Sequence, residues 1–374
     1  MPHLLTSPVA LRGLTLRNRI VISPMCQYSA TEGRANDWHM VQYGRFAVGG
    51  AGLVIVEATG VTAQGRGTHG DLGLWDDAQV APLARICEFV KAQGAGIGLQ
   101  LVHAGRKGAA QRPFHGGAPL PLTGVDARGE TAWPTLAPSP VAIAEGWQVP
   151  GEMTLADLDA VRVAFADAAR RAVAAGFDVL ELHAAHGYLL HEFLSPLSNL
   201  RTDAYGGDAA GRMRFPLEVV SAVRAVWPED RPLFVRVSAV DHIDGGLELA
   251  DTVAFAHALK AAGVDVVDCS SGGILGAATA GRVPRGPGFQ VPYAQAVRDE
   301  AGIATMAVGL ITDPAQAEAI LAAGQADLIA IGREALDNPN WPLHAHRVLE
   351  GEGFAHWPPQ HGWWLERRAA LLRG

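Results

Sequence analysis

The sequence predicts one (β/α)8 TIM barrel, and three observations carry that expectation. Eight short β-branched runs recur along 374 residues, amphipathic helical patterns lie between them, and no strand leads into a G-x-G-x-x-G phosphate turn. An open doubly wound sheet would show that turn after an early strand, so the count of eight favours a closed barrel. With 49% hydrophobic residues the chain can bury a large core, and one barrel domain can reach this length without splitting.

In chain order the runs are "RIVISPM" (19–25), "GLVIVEATG" (52–60), "GIGLQLVHAG" (96–105) and "FDVLELHAA" (177–185), then "PLFVRVSAV" (232–240), "VDVVDCSSG" (264–272), "IATMAVGLI" (303–311) and "ADLIAIGR" (326–333). Helical stretches such as "VAPLARICEFVKAQG", "LDAVRVAFADAARRAVAAG" and "DPAQAEAILAAGQ" separate them, and Gly176 and Gly324 suit helix C-termini. In "GGAGLVIVEATG" the glycines precede the strand, where they serve a helix end and a tight turn. Residues 106–150 hold seven prolines and no periodicity, which suggests a capping excursion over the barrel mouth between the third strand and its helix. The eighth strand and its helix should finish near residue 350, leaving 351–374 as a C-terminal tail.

Composition excludes several classes of function. A net charge of −8 without long like-charge runs argues against nucleic acid, which needs a basic stripe. No run approaches the roughly 18 apolar residues of a membrane span. The opening segment lacks a signal-peptide pattern, and three scattered cysteines (Cys26, Cys87, Cys269) suit reduced thiols, so a cytoplasmic location is expected. Three thiolates also cannot supply the four ligands of an iron–sulfur cluster.

Chemistry in this fold gathers at the C-terminal ends of the strands. Those ends present Pro24-Met25-Cys26, Glu57-Ala58-Thr59, Gln100 with His103, His183, Arg236, Ser270-Ser271, Gly309 and Gly332-Arg333. Glycine exits on strands seven and eight, the second followed by Arg333, suit a phosphate site, against an ordinary salt-bridged arginine. Arg236 lies between valines and needs a partner: either a structural ion pair with Glu57 or Glu181, or an electron-rich part of a cofactor. Gln100 offers a donor and an acceptor to the edge of a polar heterocycle. His183 and His186 leave three readings open. A metal site would have to recruit His103, Glu181 or Glu57 as a third ligand; a core pair is possible; and two imidazoles at the mouth can donate to one substrate oxygen. Tyr188 then stands two residues on as a proton donor.

Taken together, "SPMCQYSA", "QLVHAGRK", "HAAHGYLLHEFLSPLSNLRTDAYGG", "RMRFPLEVV", "VRVSA" and "IGRE" resemble the Old Yellow Enzyme family of FMN-dependent ene-reductases over residues 3 to 364. The Met25-Cys26-Gln27-Tyr28 stretch is similar to its thermophilic-like bacterial branch. The resemblance implies FMN, tightly but not covalently bound, and NADPH or NADH as hydride donor. Ser23, Pro24, Met25 and Cys26 would line the flavin, Ala58 and Gln100 its pyrimidine edge, and Arg236 its N1–C2=O region. Gly309, Gly332 and Arg333 would hold the phosphate. His183, His186 and Tyr28 would bind the carbonyl or nitro oxygen of an electron-poor alkene, Tyr188 would protonate it, and Lys107 would support the site. The tail departs from relatives that end in a reaching arginine and resembles those with a tryptophan, so Trp364 (less so Trp363) would enter a neighbouring subunit's site in a homodimer or a dimer of dimers. Dienoyl-CoA or amine-dehydrogenase-type relatives carry cysteine clusters and domains this chain lacks. A phosphate-binding lyase or isomerase using Lys107 or Glu181 would be colourless, and a flavin-binding protein without catalysis would not oxidise NADPH with an enone.

Overall fold

A computed structural model describes residues 3–276, 282–351 and 353–373, the last residue by its backbone alone. Eight parallel strands form the barrel: Ile20–Ile22, Leu53–Gly60, Gly96–Val102, Val179–Ala184, Leu233–Ser238, Val266–Ser270, Ala304–Ala307 and Leu328–Ile331. Each pairs with its successor, and the eighth returns to the first through Ile329–Ile20, Ala330–Val21 and Ile331–Ile22, which closes the ring. All eight expected strands are present. All but the second, which runs to Gly60, end before the runs read from sequence do, and the residues beyond leave the ladder; Gly309, with φ +128°, is one such exit.

Strand alternation divides each barrel strand between two cores. Outward residues pack against the helices. Inward ones form a separate cluster that includes Val21, Leu53, Ile55, Val179, Phe234, Met306 and Leu328. A hairpin the sequence did not reveal, Val9–Leu11 with Leu14–Leu16, closes the bottom by pressing Leu16 into this cluster. Its three-residue strands are too short for period-2 alternation to be read. One level higher, the same alternation turns Gln100, Glu181, Arg236 and Asp268 inward. The barrel therefore changes from an apolar floor to a polar layer just beneath its mouth.

Local chemistry sets the helix ends. Thr154 caps the helix Leu155–Ala175 by accepting from Asp157 N–H while the Asp157 carboxylate takes the Thr154 N–H, and Gly176 ends it with φ +89°. Gly324 takes φ +70° just past the Ala323 cap of the helix Pro314–Ala322. At Gly49 a β-carbon would lie 1.9 Å from the Pro339 carbonyl oxygen, so the glycines before the second strand serve a helix end and a close backbone approach.

Residues 106–150 contain the 3-10 turn Pro113–His115 and the short strand Leu136–Ala137, which pairs with Gly151–Glu152. Arg106, fully buried, ties this segment to the mouth by donating to the Val141 and Ile274 carbonyls. Beyond the helix Trp341–Glu350, the chain ends in the helix Pro359–Arg373. No helix among the described residues is long and apolar enough to cross a membrane.

Candidate active site

A cavity of about 380 Å³ opens at the C-terminal ends of the strands. Ser23, Pro24 and Met25 from the first strand form one wall. Ala330, Gly332 and Arg333 line the cavity from the eighth strand, Val308 and Gly309 from the seventh together with Phe289 and Gln290 of the loop bonded to them, and Arg285, His186, Arg236 and Ser270 complete it.

The inner end rests on the polar layer. Gln100 Nε2 donates to Glu181 Oε1 at 2.8 Å, and Arg236 Nε lies 3.0 Å from Asp268 Oδ2, with that carboxylate fully buried. Asp268 thus replaces Glu57 and Glu181 as the ion-pair partner expected for Arg236. The cause is register: Arg236 and Asp268 are directly paired on adjacent strands. Glu57 sits at an irregularity between Val56 and Thr59 and turns toward the first helix, where it accepts from Tyr43 OH at 2.9 Å and the Gln27 N–H at 2.5 Å. Burial, then Asp268, pushes the Glu181 carboxyl up to about 8, with Arg236 opposing. Burial also raises Asp268, so one cation among two buried carboxyls leaves a proton held in this layer at neutral pH.

Above it stands the turn after the fourth strand. His186 adopts φ +58°, a left-handed conformation sustained by its N–H bond to Ser238 Oγ at 2.9 Å. Gly187 N–H donates to His191 Nδ1 at 2.8 Å, and His191 Nε2 lies 3.0 Å from Asp241 Oδ1, so a fully buried His–Asp pair braces the turn. His183 Nδ1 accepts from the Ala185 N–H at 3.2 Å, which places its hydrogen on Nε2. That Nε2 lies 3.4 Å from His186 Nδ1, and His186 Nε2 lies 2.6 Å from Ser270 Oγ. Ser270 in turn donates to Gln290 Oε1 at 3.3 Å. The donors therefore run in one direction, from His183 through His186 and Ser270 to Gln290. Burial, then Arg236, lowers the pKa of both imidazoles well below the usual histidine range, so both are neutral at pH 7. Tyr188 packs edge-on against His183 with ring centres 4.8 Å apart, and burial raises its phenol, which stays protonated. Lys107 donates to the His186 carbonyl, lies 5.3 Å from the Tyr188 ring centre, and is pulled down to about 8 by burial.

Comparison with known proteins places this geometry. The pattern of the NADH:flavin oxidoreductase / NADH oxidase family matches residues 4–352. The chain belongs to this family. It is 48% identical over 365 residues to an NADPH dehydrogenase of Geobacillus thermodenitrificans (strain NG80-2), covering 97% of this chain and 99% of that one. The NADPH dehydrogenase of Bacillus subtilis (strain 168) is 45% identical, with 97% and 100% covered. A solved structure of morphinone reductase superposes with a TM-score of 0.77 at 27% identity, over 94% of this chain and 90% of the other. The resemblance to the Old Yellow Enzyme family holds, and the chain is an oxidoreductase that uses FMN and a nicotinamide donor.

The residues of this member of the NADH:flavin oxidoreductase / NADH oxidase family fit FMN. At Gly332 an added β-carbon would meet nothing nearer than Met25 Sδ at 3.7 Å, so the missing side chain leaves that strand exit open to the cavity. Bare backbone at Gly309 and Gly332 beside Arg333 suits an anion. At the other end Arg236, anchored to Asp268 through Nε, lines the cavity and brings a cation to the place for an electron-rich ring edge.

Seven expected cofactor contacts therefore line the cavity: Ser23, Pro24, Met25, Arg236, Gly309, Gly332 and Arg333. Cys26, Ala58 and Gln100 stand off its wall. Gln100 is held by Glu181, and Cys26 neighbours Tyr28, Tyr188 and Glu57, with burial keeping its thiol protonated. Tyr28, at φ +53°, packs edge-on against Phe114 of the excursion. No third histidine, cysteine or carboxylate ligand converges on His183 and His186 among the described residues. Trp364 lies two-thirds exposed on the final helix, away from its own chain's cavity. Sequence reading missed Arg285 and Gln290, which come from an irregular loop, and Ser238, the outlet of an otherwise apolar strand. Only the proximity of "RG" and "FQ" to the sixth strand could have drawn attention to them.

Proposed function

We propose that this oxidoreductase reduces the activated C=C bond of α,β-unsaturated carbonyl or nitro compounds at the expense of NADPH or NADH. The observation that carries the reading is the neutral His183/His186 pair, with a protonated Tyr188 edge-on to His183, beside the cavity end that His186 lines. Bound FMN would supply the two-electron redox chemistry that links the nicotinamide to the alkene.

The chain's own groups do the rest. His183 Nε2–H lies across the ring from the Nδ1 that accepts the Ala185 N–H, and it is free to turn from His186 to an incoming carbonyl or nitro oxygen. His186 can join it through Nδ1 once it gives its Nε2 proton to solvent and takes one back on Nδ1, with Ser270 turning its hydroxyl hydrogen from Gln290 to the vacated Nε2. Negative charge growing on the oxygen strengthens both hydrogen bonds and lowers the barrier. Tyr188 gives its proton to the α-carbon, and the Lys107 ammonium near its ring stabilises the phenolate left behind. Tyr28, a neighbour of Cys26 and Tyr188, would be a further contact for the oxygen.

The final helix supports an assembly with shared sites. Trp363 and Trp364 meet at right angles with ring centres 4.5 Å apart and are both exposed, as are Leu371 and Leu372. Such an apolar face suits a second copy of the chain, with Trp364 closing the neighbour's mouth in a homodimer or a dimer of dimers. The deciding experiment is a spectrum of the purified protein followed by anaerobic reduction with NADPH and reoxidation by cyclohexenone. A yellow protein reduced by NADPH but not reoxidised by the enone would refute the substrate class.

A further inference from the structure

The underside of the barrel carries a second cluster of ligand-type side chains, remote from the mouth. His346 and Glu350 are one turn apart on the helix Trp341–Glu350, so both fall on one stripe. His356 returns to them from the segment beyond. His346 Nδ1 lies 3.3 Å from Glu350 Oε1, and His356 Nε2 lies 3.2 Å from Glu350 Oε2. The two imidazoles stack with centres 4.1 Å apart, and one ligand atom from each of the three residues falls within 4.8 Å of the others. Arg17 and Thr6 adjoin the cluster. Arg17 is itself bonded to the Ala47, Ala51 and Gln93 carbonyls, which precede the second and third strands, and this fixes the cluster at the N-terminal face.

We propose that His346, Glu350 and His356 form a binding site for a zinc-type divalent cation that clamps the C-terminal arm to the barrel. A tetrahedral zinc ion with bonds of about 2.0–2.1 Å sets its ligand atoms about 3.3 Å apart; each imidazole already has that spacing to one oxygen of Glu350, so a small side-chain turn brings all three onto one ion. Two imidazoles and one carboxylate form a borderline donor set suited to zinc. Hydrogen bonding alone leaves the cluster incomplete: His346 Nδ1 is buried and lacks an aligned partner. A cavity of about 130 Å³ adjoins the three side chains, between Leu343, Gly353 and Trp357. It leaves room for the water that completes a three-ligand site, which needs about 30 Å³. Arg347 also borders the cavity, but its guanidinium packs 4.5 Å over the Phe354 ring. With Arg17 and Arg347 nearby and only one carboxylate, binding should be reversible. Because His356 lies on the connection to the helix Pro359–Arg373, metal binding would order the arm that presents Trp363 and Trp364.

The test uses the FMN-loaded enzyme, freed of metal by a chelator and dialysed. Zinc titrated by calorimetry should bind once per chain, and cobalt should give the visible bands of a four-coordinate ion. His356→Ala and Glu350→Gln should each weaken binding at least tenfold while leaving FMN content and turnover unchanged. Zinc should also slow proteolysis beyond residue 350 in the unaltered enzyme and have no such effect in either variant. Absence of zinc binding, or binding in both variants as tight as in the unaltered enzyme, overturns the proposal, and neither substitution touches the histidines at the mouth.

Discussion

Replacing the two histidines of the mouth should cost unequal amounts, and the inequality follows from their hydrogen bonds. Loss of one donor to a developing oxyanion typically costs about 2.7–4 kcal/mol, or about 10²–10³ in rate. His183 makes that contribution in full, because its Nε2–H needs only to leave the weak 3.4 Å contact with His186. His186 must first change tautomer, and Ser270 must give up its bond to Gln290. An ordinary hydrogen bond contributes about 1 kcal/mol net, so the gain from His186 shrinks to about 1.7–3 kcal/mol. His183→Ala should therefore slow reoxidation of the reduced enzyme by cyclohexenone by about 10²–10³ and His186→Ala by only about 20- to 150-fold. Ser270→Ala removes the hydroxyl that holds His186 in the unproductive tautomer, and its loss should be smaller than either. The assay is anaerobic stopped-flow, following flavin absorbance after each variant has been reduced with NADPH and its FMN content checked. Equal losses in the two histidine variants, or a Ser270→Ala loss exceeding that of His186→Ala, would refute the reasoning.

Four further outcomes are expected. Tyr188→Phe should slow reoxidation by enones while sparing reduction by NADPH; a slowed reductive half alone would make Tyr188 a nicotinamide contact. Cys26→Ala should shift the flavin spectrum or potential and keep substantial turnover, since burial holds the thiol protonated; complete inactivation with FMN bound contradicts this. Glu181 has a folded pKa raised to about 8, so its contribution to stability is present in full below about pH 4.5 and is lost as pH rises through 8. Glu181→Gln should accordingly gain melting temperature relative to the unaltered protein as pH goes from 5.5 to 9, and parallel curves would show that Glu181 holds no extra proton. Truncation before His361 should raise the enone KM and weaken the dimer with most FMN retained; an unchanged KM with an intact dimer sinks the shared-site reading.

The barrel was legible in the sequence because its information is local and repetitive. Each strand is a continuous apolar run, since both faces of a barrel strand are buried, and each helix announces itself by period and cap, as Thr154, Asp157 and Gly176 do. Position along those runs also located the mouth, because Ser23, Arg236, Gly309 and Arg333 all fall at strand exits in the chain. The linear order could not say which exits face one another. Arg236 meets Asp268 instead of Glu57 through the register of neighbouring strands and an irregularity in a third, both set by non-local pairing. His186 is tied to Ser270 from 84 residues away, and Ser270 to Gln290 from a loop without periodicity. Sequence alone thus determined the fold, the polar residue types and their level in the barrel. Tertiary structure alone decided which proton points where, because hydrogen-bond direction and buried charge depend on neighbours brought together only when the ring of strands closes.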